Sequence, residues 1–367
     1  MDISSWGMRE LVTLINKFRI TSEISGVNRI IEGHIHDSFR ITTVEGSEFV
    51  LQRINAFVFK DVDTLMNNLG KVLSHLENRR KKTPSHFPAS LCLVNTWNGK
   101  SFLSTPDGNF WRLFQYIPNS HVYNTVSEPL LAYEGGKAFG AFLLELSDLD
   151  PKQLKVILPR FHDFNFRYQA YEDSVQSNKA DRLKDIAEEI NFVAGNKTTM
   201  LEFNDVITEG TVPVRVTHND TKFNNILFDN KNQPLCVIDL DTVMPGSMLH
   251  DYGDAIRTVA NTAKEDETDL TKVTFNFPIF RAFTKGYLKS AAGVLTPTEV
   301  ANLPNSAIYL TFLIGLRFLT DHLNGDEYYH ISRPSHNLDR ARVQFAMVRA
   351  MQTQLKKMNQ TIKEIMP

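Results

Sequence analysis

His218-Asn219-Asp220-Thr221-Lys222-Phe223-Asn224-Asn225, then Ile226-Leu227-Phe228, then Val237-Ile238-Asp239-Leu240-Asp241 is the stretch that decides the fold. Short apolar runs at 212–217, 226–228 and 235–239 read as strands, and the polar residues 229–233 read as the turn between the last two. The polar residues of interest therefore sit on a loop after one strand (H-x-D-x-K-x-x-N) and at the end of a hairpin (D-x-D). This β interlude interrupts a region that is otherwise helical, with helical spacing expected over 133–146 (small residues on one side), 180–192, 277–289, 308–323 and 338–365.

Working outward, the N-terminal part has strand-like character from about 26 to 117. Residues 37–44 alternate before the turn Glu45-Gly46-Ser47, and 49–54 follow it, which is a hairpin. Asn98-Gly99 and Asp107-Gly108 separate three further runs at 91–97, 100–104 and 110–117, while 62–77 has helical spacing. The expected architecture is α+β and bilobal, with a small antiparallel N-terminal lobe over 1–117 and a larger, mainly helical C-terminal lobe over 118–367. A chain of 367 residues exceeds the usual size of one hydrophobic core, which agrees with two lobes sharing a cleft.

Composition narrows the function classes. Lysine plus arginine number 40 against 42 acidic residues, so the positive surplus that drives nucleic-acid binding is missing. Cys92 and Cys236 are the only cysteines, each within a run that reads as a strand, and they suit buried thiols in a reducing compartment better than a disulfide framework. Residues 1–10 carry no secretory pattern, and the apolar stretch 307–320, broken by Gly315 and Arg317, reads as a buried helix rather than a membrane span. A cytoplasmic location is expected, with no membrane or nucleic-acid partner; the sequence points to no protein partner.

The loop and hairpin carry the parts that phosphoryl transfer needs, in the arrangement of kinase catalytic and metal loops. Such a reaction asks for an aligned hydroxyl and for neutralisation of developing phosphate charge. Asp220 suits a general base, and Lys222 is placed to meet a γ-phosphate. Asn225 and Asp239 offer the hard oxygen ligands that Mg2+ prefers. His218 is expected to hydrogen-bond the loop backbone. Asp241 stands equally as a second metal ligand or as a cap of the next turn, and Asp251 and Asp254 read as helix-start residues. The expected cofactors are ATP and Mg2+, and the fold that these motifs imply is protein-kinase-like. Gln52 stands where a strand lysine usually meets ATP phosphates. Gln52, Gln115, Ile117 and Gly33, the last in the weak glycine loop Gly33-His34-Ile35, are the expected nucleotide contacts.

These residues, with Val216-Thr217, Thr242-Val243-Met244-Pro245-Gly246-Ser247-Met248, Gly33-His34-Ile35 and Gly325-Asp326-Glu327-Tyr328, resemble the aminoglycoside phosphotransferase and choline kinase-like small-molecule kinases. Within them the chain is similar to the N-acetylhexosamine 1-kinases. The resemblance implies that Asp220 acts on the 1-hydroxyl of N-acetylglucosamine or N-acetylgalactosamine, and that His34, Arg317 and Tyr328 help form the sugar pocket. Without it, Arg317 reads as a core ion-pair partner, His34 as a loop residue and Tyr328 as surface packing. Two other functions stay open: a kinase of another small hydroxylated molecule (an aminoglycoside, choline or an amino alcohol), and a nucleotide-binding module without catalysis.

Overall fold

The computed structural model describes residues 7–30 and 35–366. The expected α+β class holds, with an antiparallel five-stranded sheet toward the N-terminus and a larger helical region after it. The chain divides into two compact units, the first formed by residues up to 121 with 154–158 and 227–243, the second by the remainder.

In the first unit the sheet order is β1-β2-β3-β5-β4, made by β1 (Ile24–Ile30), β2 (Asp37–Thr43), β3 (Glu48–Ile54), β4 (Leu103–Ser104) and β5 (Phe110–Gln115). Alternation sends Phe39, Ile41, Leu51, Trp111 and Leu113 to one face, where they pack with Leu11, Leu14 and Ile15 of α1 (Met8–Ile15). Fully burying side chains of this size contributes about 1.5–3 kcal/mol each. The turn between β2 and β3 needs Gly46, whose φ is +82°. Helix α2 (Val62–Arg80) starts where Asp61 caps Thr64 at 2.9 Å and buries Leu65, Leu69 and Val72.

The expected strand at 91–97 does not form. The outer edge of β5 is shared between β4 and a single bridge from Leu93 to Phe114, and Thr96 turns its hydroxyl to the Lys100 amide (3.0 Å) to close the Asn98-Gly99 turn. Cys92 is accordingly exposed, whereas Cys236 is buried in a strand as expected.

The second unit is built around α8 (Pro297–Asn324), with α4 (Phe164–Ser177), α6 (Met248–Val259) and α9 (His336–Ile365) packed on it. Among the described residues α8 alone is long and apolar enough to cross a membrane, and 89% of its apolar window is buried as core. The small residues expected on one side of 133–146 have a clear use. Helix α3 (Pro129–Leu146) meets α7 (Phe277–Ala291) backbone to backbone: a Cβ on Gly136 would lie 2.1 Å from the Phe283 carbonyl oxygen, and one on Gly286 2.0 Å from that of Tyr133. The helix expected over 180–192 is displaced to α5 (Ala187–Thr208), because Asn178 and Asp181 adopt positive φ and a 3-10 turn occupies Leu183–Asp185.

Candidate active site

In the second unit, β6 (Arg215–Thr217) pairs with β9 (Met244–Gly246) and delivers the loop that begins at His218. Asn219 has φ +64°, a left-handed conformation that turns the chain sharply just before Asp220. That turn is held on several sides. The buried Asp251 carboxylate accepts the backbone N–H groups of His218 (2.8 Å) and Asn219 (2.6 Å), and His162 Nε2 lies 3.2 Å from the Asn219 carbonyl. Gly246 has no room for a side chain, since a Cβ would sit 2.4 Å from Thr217 Oγ1 and 2.8 Å from Asn219 Oδ1.

Asp251 stands in the first turn of α6, the helix-start place expected of it, and from there anchors the loop, whereas Asp254 lies further along the helix; the cap of α6 is Ser247, whose hydroxyl accepts from Leu249 at 3.3 Å. Burial pushes the Asp251 carboxyl up to about 6, against the pull of His218. Asp254 binds the buried Arg257 at 2.8 Å, which also reaches Glu265 at 3.2 Å.

Asp220 itself is set by its neighbours. Its backbone N–H donates to His218 Nδ1 at 3.3 Å, the backbone role expected of that ring. Lys222 Nζ lies 3.1 Å from Oδ1, and the Asn225 side-chain amide nitrogen donates to the Asp220 carbonyl at 2.8 Å. Burial raises the Asp220 carboxyl, but Lys222 and His218 outweigh it and hold it below its usual range, while Asp220 raises Lys222. With its nitrogen so used, Asn225 has its side-chain oxygen left to offer a cation. The 3-10 turn Phe223–Asn225 is seated by Phe223 against Gly135 of α3, where a Cβ would be 2.1 Å from the ring.

The first unit carries a second cluster. Strands β7 (Ile226–Phe228) and β8 (Pro234–Val237) pair, and the chain leaves β8 through Asp239 at φ +60°. Asp241, 2% exposed, binds Arg112 through both Nη atoms (2.5 and 2.8 Å), and His36 Nε2 lies 2.6 Å from its Oδ2. Arg112, the largest of these attractions, holds the Asp241 carboxyl far below its usual range despite burial. Neither reading offered for Asp241 from sequence included this guanidinium. Ligand atoms of His36, Asp239 and Asp241 lie within 4.8 Å of one another. Gln52 accepts from Arg112 Nε at 3.0 Å and donates to Ser38 at 3.1 Å. Gln115 is exposed at the end of β5, and the Ile117 carbonyl accepts from Ser120 at 2.6 Å. Gly33 and His34 lie outside the described residues.

Back in the second unit, Arg317 is 9% exposed and faces the rings of Phe161 (5.1 Å), Tyr329 (5.7 Å) and Tyr328 (6.0 Å). Among the described residues it has no carboxylate partner, so the core ion pair expected of it without the family resemblance is not there. Arg167 is close by: burial and then Arg317 lower it to about 10. Tyr328 is 55% exposed, and its backbone N–H is fixed by Asp321 at 2.8 Å.

The model of the phosphotransferase enzyme family APH matches residues 26–280, well over half of the chain. The chain belongs to this family. Solved structures agree in fold. The amicoumacin kinase hAmiN in complex with AMP-PNP, Ca2+ and Ami superposes with a TM-score of 0.60 at 13% identity, covering 99% of this chain and 95% of that one. Spectinomycin phosphotransferase APH(9)-Ia, in complex with ADP and spectinomycin, gives 0.59 at 12% identity over 93% and 98%. The microcompartment-associated aminopropanol kinase gives 0.56 at 12% identity over 96% and 99%.

The APH family uses ATP with a divalent metal such as Mg2+, and a carboxylate such as that of Asp239 and an amide oxygen such as that of Asn225 are each the donor type a hard cation takes. Three residues of this APH chain escaped sequence reading. Arg112 had a usable signal, a lone cation inside Phe110-Trp111-Arg112-Leu113-Phe114, where alternation alone does not explain a charge. Asp251 was masked by its place near a helix start, and nothing local marks His162.

Proposed function

We propose that this phosphotransferase transfers the γ-phosphate of ATP to the anomeric 1-hydroxyl of an N-acetylhexosamine, with Asp220 as base and Asn225 and Asp239 as magnesium ligands. The observation that carries the catalytic part is the environment of Asp220. It is anchored by a loop with two N–H bonds to Asp251, kept ionised by Lys222 and His218, and only partly exposed (17% of the side chain). An ionised, oriented carboxylate is what a hydroxyl needs to lose its proton as it attacks. The anomeric hydroxyl is more acidic than an ordinary alcohol and asks less of such a base. Asn225 and Asp239 would hold the magnesium, which would offset phosphate charge when bound. Lys222 adds a cation beside the base, and Gly33, Gln52, Gln115 and Ile117 are the proposed nucleotide contacts.

For the acceptor, Arg317 and Tyr328 support an oxygen-rich molecule, and His34 is carried with them from the family resemblance alone. Two neighbouring arginines, Arg167 and Arg317, disfavour a cationic acceptor such as choline or an aminoglycoside. The aminopropanol kinase and spectinomycin phosphotransferase in the comparison keep the wider class of small hydroxylated acceptors as the second reading.

Asp220→Asn tests the catalytic part. Turnover should fall by about 10²–10⁴-fold while nucleotide affinity stays near that of the parent, since the residue acts on the acceptor. Near-parental turnover in that variant removes the base assignment; an absence of any turnover in the parent, with nucleotide bound, favours a non-catalytic nucleotide-binding module.

A further inference from the structure

The strand position of Gln52 lacks the lysine that usually meets ATP phosphates in such folds, yet a buried cation stands directly across the ladder. Gln52 on β3 pairs in register with Arg112 on β5, and the two side chains are joined by the Nε–Oε1 bond. Arg112 is 2% exposed, with both Nη atoms on the Asp241 carboxylate. Three of its five N–H groups are taken by Gln52 and Asp241 and the side chain is buried, so it does not simply replace the lysine. Its effect falls on Asp241, two residues beyond Asp239.

The surroundings of Asp241 make this consequential. His36 supplies its third contact, and His36 is itself fixed, accepting the Asn55 N–H on Nδ1 at 3.1 Å and stacking on Phe59 at 5.6 Å. The segment between β8 and Val243 is pinned at its far end by Asn68, whose amide reaches the Val243 carbonyl at 3.4 Å and the Lys155 carbonyl at 2.8 Å. Between those pins the backbone takes its left-handed step at Asp239, a conformation that a residue with a side chain holds only when its surroundings impose it. Asp239 and Asp241 present carboxylate atoms within 4.8 Å of each other, so two free charges would repel across that step.

We infer that Arg112 is a positioning residue: by clamping Asp241 in a bidentate, water-excluded pair, it fixes the strained step at Asp239. The clamp aims the Asp239 carboxylate at the metal and removes Asp241 from competition for that metal. The inference rests on the reading of Asp239 as a magnesium ligand and adds to it the residue that holds the ligand in place.

The test is Mn2+ binding in the presence of AMP-PNP, followed by electron paramagnetic resonance, on the full chain and on R112Q, R112K and D241N, with thermal melts alongside. R112Q should weaken Mn2+ binding by about 10–100-fold, the usual cost of losing an outer partner of a metal ligand, and by more than any change in metal-free nucleotide affinity. R112K keeps the charge without the planar fork and should fall between R112Q and the parent. A folded R112Q or D241N with parental Mn2+ affinity overturns the inference, as does a failure of all three variants to fold, which would make the pair a matter of stability alone. A parent that binds AMP-PNP but no Mn2+ overturns the metal reading itself, so the two failures are told apart.

Discussion

At the scale of single residues, Asp220 is governed by a contest between burial, which raises its carboxyl, and Lys222 and His218, which lower it further. A carboxyl held below its ordinary value contributes stability that is present above its unfolded value of about 4 and lost as pH falls through the folded one. The same ionised form is the proposed base, so the acid limb of kcat/KM for the parent should lie below the ordinary carboxylate range as far as this group is concerned. Lys222→Gln removes the largest lowering influence and leaves burial, so the limb should move to higher pH whatever happens to the absolute rate. A kcat/KM profile with an unmoved limb would separate Lys222 from the base. His218, Asp220, Lys222, Asn225 and Asp239 could be put forward from sequence because the spacing of residue types in a loop and a hairpin end is local information. The partners of that constellation were not legible. Asp251 lies 31 residues from Asp220 and Arg112 lies 127 from Asp239, and only the folded chain brings Arg112 to Asp241 or Asp251 to the loop amides.

At the scale of elements, periodicity placed most helices and strands, and it failed where local backbone chemistry overrode it. Residues 180–186 carry the apolar spacing of a helix, yet Asn178 and Asp181 in left-handed conformations end one helix and delay the next until Ala187. Helix α1 has a clear apolar face but is only eight residues long, too short to announce itself, and the weakly amphipathic α4 had too little contrast between faces. The small residues of α3 were visible, but their partner was not: Gly286 on α7 sits where any Cβ would strike the Tyr133 carbonyl at 2.0 Å. In an isolated helix, replacing glycine by alanine gains about 1 kcal/mol. Here the obstacle is backbone, which cannot rotate away, so Gly286→Ala should lower stability by about 1–3 kcal/mol net. Chemical denaturation reads this directly, and a variant as stable as the parent would contradict the close approach of α3 and α7.

At the scale of the whole molecule, family membership over residues 26–280 and the shared fold establish a small-molecule phosphotransferase, and the acceptor is the part that rests on individual side chains. Proteins with this fold at 12–13% identity are described with acceptors as different as spectinomycin and aminopropanol, so fold alone does not choose among them. In the proposed reading Arg317 and Arg167 bear on the choice, because two neighbouring guanidinium groups suit sugar oxygens and oppose a charged amine. The most direct measurement is to incubate the protein with Mg2+, ATP and a panel of N-acetylhexosamines, other sugars, choline, amino alcohols and aminoglycosides, and to locate the new phosphate by NMR. The account predicts an N-acetylhexosamine 1-phosphate as the preferred product; phosphate on another hydroxyl, or preferential phosphorylation of choline or an aminoglycoside, would contradict it.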